Sequence, residues 1–208
     1  MKSTLLIATL AGCASLATAG IVAQNTWDAG TLEGWTYAAG TGGGEYTTPL
    51  FGGNGGGFVQ YVDGVDGQLP PPQIYAPAEY LGDYTSYVGG YFEYDIILST
   101  PPTIPGEPTN YPRLRLEGAN GSEARIIQNY LVDDSWQTVH VNILEAEWEM
   151  VSGTWADLIS GVTAVKLGGD VITGSGPEGG FDNFILVPAA PTAGLLALGM
   201  GLAARRRR

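Results

Sequence analysis

Residues 91–98 read YFEYDIIL, and the alternation in that octet narrows the possible folds more than any other stretch of the chain. Phe92, Tyr94, Ile96 and Leu98 fall on one face, with Tyr91, Glu93 and Asp95 on the other. A half-buried strand alternates in this way, whereas a helix would repeat its apolar residues every three to four positions. RLRLE at 113–117 puts Leu114 and Leu116 inward and its charges outward, and ARIIQ follows after Gly118-Ala119-Asn120-Gly121-Ser122. Asn120-Gly121 is a hairpin signal, so these two strands should pair antiparallel. QTVHVNI at 137–143 places Val139, Val141 and Ile143 inward. TAVKL (163–167), FDNFILV (181–187), NTWDA (25–29), GWTYA (34–38) and GFVQYV (57–62) are further strand candidates, punctuated by runs such as GTGGGE and FGGNGGG.

Eight or more short strands of this kind predict an all-β fold, an antiparallel β-sandwich or jelly roll. The chain has 32 Gly and 13 Pro with no strict period, which supplies tight turns rather than a collagen repeat. One short helix is expected inside the domain, from Trp155 to Ser160, with Thr154 as its cap, Asp157 at the third helical position and Gly161 ending it. PPTIPGEPTNYP at 101–112 reads as a long loop between strands. With 44% apolar residues among 208, one substantial core can form, and no repeat or linker divides it.

Charge is segregated. Between residues 20 and 187 only Arg113, Arg115, Arg125 and Lys166 are cationic, against all 21 acidic residues, a formal charge of −17 for that stretch. Such a field repels phosphate backbones, so nucleic acid is excluded as a partner.

The two ends read as addresses. MKSTLLIATLAGCASLATAG has a basic start at Lys2, an apolar run and then Ala17-Thr18-Ala19 before Gly20, the pattern of a signal helix cleaved between Ala19 and Gly20. Leu10-Ala11-Gly12-Cys13 also resembles a bacterial lipobox, which makes lipidation at Cys13 the alternative. Cys13 is the only cysteine, so in either case the mature domain has no disulfide. At the other end Val187-Pro188-Ala189-Ala190-Pro191 is a proline spacer, followed by an uncharged Leu/Ala/Gly run and Arg205, Arg206, Arg207 and Arg208. A C-terminal apolar helix from Pro191 to Ala204 would span about 21 Å, short for a hydrocarbon core of about 30 Å. The four arginines would resist translocation and keep the preceding domain outside. Spacer, apolar helix and arginine cluster together resemble the PEP-CTERM sorting signal of bacterial exported proteins. That resemblance implies a membrane sorting enzyme of the exosortase type as a partner acting on the tail.

The domain itself resembles a family. WDAGTLEGWT, APAEYLGDYTSYVGGYFEYDI, WQTVHV, TWADLISGVTAVKLGGD and GFDNFIL, in that order, look like a laminin B, or laminin IV type A, domain covering residues 26–187. The resemblance implies a galactose-binding-like jelly roll in an extracellular setting and brings no catalytic residues. The expected organisation is a signal peptide at 1–19, a laminin-B-like domain at 20–187 and a sorting tail at 188–208.

Hydrolytic chemistry needs an activated nucleophile, an open metal site or carboxylates facing each other across a cleft. His140 is the only histidine, and it falls on the outward side of its strand beside Thr138 and Asn142, as a surface histidine would. Asp133-Asp134 sits in a turn, and Glu145, Glu147 and Glu149 alternate with Ala146, Trp148 and Met150, as on a charge-protected edge strand. Jelly rolls of the implied type often hold a structural calcium where first and last strands meet, and the acidic residues there are Asp28, Glu33 and Asp182. The alternative is that Asp28 and Asp182 accept bonds from turn amides. No other cofactor is expected. Tyr80, Tyr84, Tyr87, Tyr91 and Trp148 are the candidates for stacking on sugar rings, while Trp27, Trp35 and Trp136 are expected in the core.

The sequence therefore points to an exported, non-enzymatic protein of the cell surface or extracellular matrix with an adhesive or structural role. The alternative is a carbohydrate-binding module recognising extracellular polysaccharide, and a glycan-active hydrolase is a third. Polysaccharide and surface-matrix proteins are the partners these readings imply, with the tail anchoring the chain transiently or permanently.

Overall fold

The computed structural model describes residues 20–38, 44–63, 73–98, 113–128, 134–168 and 176–190, and those up to Ala189 belong to one compact unit, Gly20–Ala189. The signal segment with Cys13, the tail from Pro191 onward, the 101–112 loop and Asp133 lie outside the described residues. The alternation in the sequence becomes two antiparallel sheets whose apolar faces meet. The strands are β1 (Ala23–Asn25), β2 (Thr36–Ala38), β3 (Glu45–Thr47), β4 (Val59–Asp63), β5 (Gln73–Tyr75), β6 (Tyr91–Leu98), β7 (Leu114–Gly118), β8 (Glu123–Ile126), β9 (Gln137–Asn142), β10 (Trp148–Ser152), β11 (Val162–Gly168) and β12 (Gly176–Val187). One sheet runs β3-β4-β12-β6-β9, with β1 also pairing with β12; the other runs β10-β8-β7-β11-β5-β2. This is the expected antiparallel sandwich.

The expected inward residues are inward. Phe92, Tyr94, Ile96, Leu98, Leu114, Leu116, Val139, Val141 and Ile143 are all buried. β7 and β8 form the hairpin at Asn120-Gly121, where Gly121 has φ +81° and Asn120 Oδ1 accepts from Ser122 N at 3.2 Å. The helix α1 spans Trp155–Ile159, and Thr154 Oγ1 accepts from Asp157 N at 3.2 Å as its cap.

Two strand expectations need correction. NTWDA is not a strand beyond Asn25: Trp27 has φ +52°, and this left-handed step sends its ring into the core. Glu145–Glu147 is a turn of 3-10 helix, and the edge strand begins only at Trp148. The short strands β3 and β5 were not expected at all.

FDNFILV is a strand, but a bulged one. Asp182 lies opposite Asp95, whereas Ile185 lies opposite Glu93, so one extra residue is inserted between them. Asn183 takes it up with φ +51°, in the left-handed region that Asn tolerates better than most residues. The insertion resets the alternation, so Phe181 and Phe184, three apart, both point inward. Phe184 then sits among four rings, with centroids at 5.0 Å to Trp35, 5.3 Å to Tyr80, 5.3 Å to Tyr94 and 5.8 Å to Phe92. Rings of this size bury about 150–250 Å² each, so this cluster dominates the apolar energy of the fold. Beside it the buried Asn25 joins the layers, its Oδ1 accepting from Trp35 Nε1 at 2.9 Å and from the Tyr80 hydroxyl at 2.8 Å.

Replacing Asn183 separates backbone from side-chain effects. Asn183→Ala should cost about 2–4 kcal/mol through the lost left-handed tolerance and lost bonds to buried acceptors. Asn183→Gly, which keeps the backbone, should cost clearly less. Chemical denaturation of both variants checks the order, and equal losses would contradict the bulge as the cause.

Candidate functional site

The outward face of the β12-β6-β9 sheet carries the concentration of polar and aromatic groups, and a glycine-rich loop is strapped across one end of it. Register places Asp182 of β12, Asp95 of β6 and Thr138 of β9 in one row. Both carboxylates are buried, Asp182 at 1% and Asp95 at 5% exposure, because Gly52–Gly57 lies over them. Asn54 N donates to Asp182 Oδ2 at 2.7 Å, and Asn54 Nδ2 donates to Asp95 Oδ2 at 2.9 Å. Asn183 contributes its backbone N to Asp182 Oδ1 at 2.7 Å and its Nδ2 to Asp95 Oδ2 at 2.8 Å. Thr138 Oγ1 donates to Asp95 Oδ1 at 2.6 Å, and Gly57 N donates to Asp28 Oδ1 at 3.0 Å.

The loop can lie this close only because its glycines, which flank Asn54, lack side chains. A Cβ on Gly56 would meet Asp28 Oδ1 at 1.9 Å, and one on Gly57 would meet the Trp27 carbonyl at 2.4 Å. Trp136 closes the strap, with Nε1 donating to Gly52 O at 3.0 Å and its ring edge-on to Phe58 at 5.6 Å. Burial, reinforced by the neighbouring Asp95 and Asp28 charges, pushes the Asp182 carboxyl up to about 6, against the backbone amides of Asn183 and Asn54.

The next rows of this face are open. Glu93 lies opposite His140, with Oε2 and Nδ1 3.1 Å apart, and the Tyr91 ring packs on the imidazole at 4.2 Å, tilted by 34°. Tyr91 in turn lies opposite Asn142. A cleft of about 310 Å³ adjoins β9, lined by Ile126, Ile127, Gln128, His140, Val141, Asn142 and Glu147. Glu147 fixes Asn142 from below, accepting from its N at 2.8 Å and its Nδ2 at 2.5 Å. Its lining mixes apolar Ile126, Ile127 and Val141 with polar Gln128, His140, Asn142 and Glu147, so it offers both apolar surface and hydrogen-bonding groups to a small ligand.

The four cations stand elsewhere, on the outward side of the other sheet. Arg125 grips Glu149 with Nε at 2.7 Å and Nη2 at 2.8 Å, Arg113 reaches the same carboxylate at 3.8 Å, and Arg115 reaches Glu123 at 3.2 Å. Lys166 pairs with Glu117. As residues 20–190 contain no other Lys or Arg, none stands on the His140 face.

The stacking candidates divide. Tyr91 is half-exposed on the open face, and Tyr87 is half-buried against Tyr84 at 5.2 Å. Tyr80, Tyr84 and Trp148 are buried and cannot meet a sugar. Their polar ends bond to the protein: the Tyr84 hydroxyl to the Tyr80 carbonyl and Trp148 Nε1 to Asn142 O at 2.9 Å. Burial, with Glu79 and Glu33 nearby, raises the Tyr80 hydroxyl pKa. Trp136, expected inside, is only half-buried at the strap. Phe51 and Leu50, not singled out in the sequence, are 84% and 52% exposed at the head of the loop.

The calcium ligand set does not assemble. Glu33 Oε2 accepts from Asn25 Nδ2 at 3.1 Å and Thr26 N at 3.2 Å. At the Asp28–Asp182 end Asp28 Oδ1 accepts from Gly57 N, Asp182 Oδ2 from Asn54 N and Asp182 Oδ1 from Asn183 N. Among the described residues no three His, Cys, Asp or Glu side chains are grouped to hold a metal ion. The residues therefore do not fit calcium as they stand; Asp28 and Asp182 bond turn amides.

The sequence matches no family model and no curated protein. Solved structures match the fold. CtCBM11, in solution, is similar at TM-score 0.53 and 15% identity over 82% of this chain and 98% of that one. An exo-β-agarase is similar at TM-score 0.54 and 12% identity over 80% of this chain and 24% of that one. The L4b domain of human laminin α-2 matches at TM-score 0.49 and 12% identity, over 58% of this chain and 72% of that one. The likeness is one of fold.

Two measurements test the strap. A chelator should leave the melting midpoint unchanged; a fall of several degrees would restore the metal. Since the Asp182 carboxyl titrates near 6 when folded, above its ordinary 3.8, the stability it contributes is complete below about pH 4 and lost as pH rises through 6. The midpoint should therefore fall between about pH 4 and 6 and level off above that, and Asp95→Asn, which removes a neighbouring charge, should end that fall at lower pH.

Proposed function

We propose that the chain is an exported, non-catalytic protein of the cell surface or extracellular matrix that holds neutral polysaccharide on the outward face of the β12-β6-β9 sheet. The observation that carries this reading is the Tyr91–His140 ring pair beside a cleft of about 310 Å³, with Asn142 and Glu147 in the cleft lining and Glu93 against His140. A tyrosine face offers an apolar surface to the C–H side of a sugar ring, while carboxylate, imidazole and amide groups bond its hydroxyls. The likeness in fold to a family 11 carbohydrate-binding module is compatible with this use. An adhesive role follows if the bound polymer belongs to the surrounding matrix.

Charge selects the polymer. Between residues 20 and 190 four cations, all paired on the opposite sheet, stand against 21 acidic residues, so uronate or sulfate chains are repelled from the cleft. The signal segment, with cleavage between Ala19 and Gly20, and the Val187-Pro188 to Arg208 tail support export and surface sorting by a membrane enzyme.

In native gels cast with single polysaccharides, the mature chain should be retarded by a neutral polymer such as galactomannan or hydroxyethyl cellulose and not by polygalacturonate. Tyr91→Ala should abolish the retardation without changing the melting midpoint. Free migration in every neutral gel would overturn the reading. Intact mass of the protein recovered from its host's envelope and medium should show a start at Gly20 and an end within the proline spacer. A lipidated start at Cys13 or a retained arginine end would make it a membrane-tethered domain instead.

A further inference from the structure

We propose that Phe51 is a second contact for the same polysaccharide, so that the ligand is an extended chain lying along β9 and held through an internal stretch. The inference rests on the polysaccharide reading above. Phe51 is 84% exposed, with Leu50 beside it at 52%, although a large ring in water is unfavourable. Its mount, however, is fixed. The loop that follows is tied at Gly52 O to Trp136, at Asn54 N to Asp182, at Asn54 Nδ2 to Asp95 and at Gly57 N to Asp28. The Gly53 N to Gly56 O bond at 3.0 Å closes the turn from within. An aromatic ring on a pre-ordered backbone loses little freedom when it binds, which is the advantage of a rigid anchor. The buried Asp95–Asp182–Asn54–Asn183 network thereby gains a purpose, because it holds Phe51 at the surface.

The position of the loop names the occupant. Trp136, which carries Gly52, immediately precedes β9, and Tyr91 lies opposite Asn142 at the end of that strand. The six steps from Trp136 to Asn142 span about 20 Å at 3.3 Å per residue. Between the two aromatic points the face offers His140 and Glu93, groups that bond hydroxyls. An aromatic contact at each end of a polar track fits a chain that continues past both contacts.

Oligosaccharides from disaccharide to hexasaccharide, cut from the neutral polymer that retards the mature chain most, test this by titration calorimetry. Affinity should climb with length. Phe51→Ala should weaken the hexasaccharide about tenfold and leave the disaccharide unchanged, while Tyr91→Ala weakens both. Length-independent affinity, or a Phe51→Ala variant that binds the hexasaccharide as the parent does, would overturn the second contact while leaving the Tyr91 site standing. Failure of every length and polymer to bind would instead sink the polysaccharide reading, and this inference with it.

Discussion

The bulge at Asn183 is the constraint on which the rest of this molecule depends. β12 pairs with β1, β4 and β6, so its register propagates through the whole sheet. With strict alternation, Asp182 outward would force Phe184 outward as well. The extra residue lets a carboxylate face the loop and a phenylalanine face the core within three positions. Core and site are thus built from one local distortion: Phe184 gathers Trp35, Tyr80, Phe92 and Tyr94 behind the sheet, while Asp182 and the Asn183 amide gather Asn54 and Asp95 in front.

The front network also explains how acidic groups can be buried without cations. Every Arg and Lys of the domain is committed to the opposite sheet, so Asp95 and Asp182 have only neutral N–H and O–H donors. Neutral donors compensate a buried charge incompletely, which is why Asp182 holds its proton to about pH 6. What the arrangement provides is position: a glycine loop clamped against the sheet, with Phe51 and Trp136 at its margin.

Much of this fold was legible in the sequence because a sheet with one apolar face enforces period two. Leu114 and Leu116, or Val139 and Val141, needed no knowledge of their partners. Three-residue strands such as Glu45–Thr47 and Gln73–Tyr75 are too short to show a period, and Trp27 looked like strand because an αL step leaves no mark on composition. The site was less legible. Aromatic residues serve cores and ligands equally, and only the bonds made by the polar ends of Tyr80, Tyr84 and Trp148 reveal that these belong to the core. Asp28 and Asp182 take their bonds from Gly57 N, Asn54 N and Asn183 N rather than grouping with Glu33, and no spacing in the sequence announces the loop residues that supply them. The signal for Phe51 was present in FGGNGGG, a large apolar residue at the head of a run too poor in side chains to bury it.

Amide hydrogen exchange on the free mature protein, read residue by residue, tests most directly whether the bulged strand pre-orders the loop. The account predicts that Asn54 N and Gly57 N, bonded to Asp182 and Asp28, exchange as slowly as neighbouring sheet amides despite lying in a glycine-rich surface loop. Exchange at the rate of an open coil at both positions would contradict it, and would leave Phe51 on a mobile segment rather than a fixed mount.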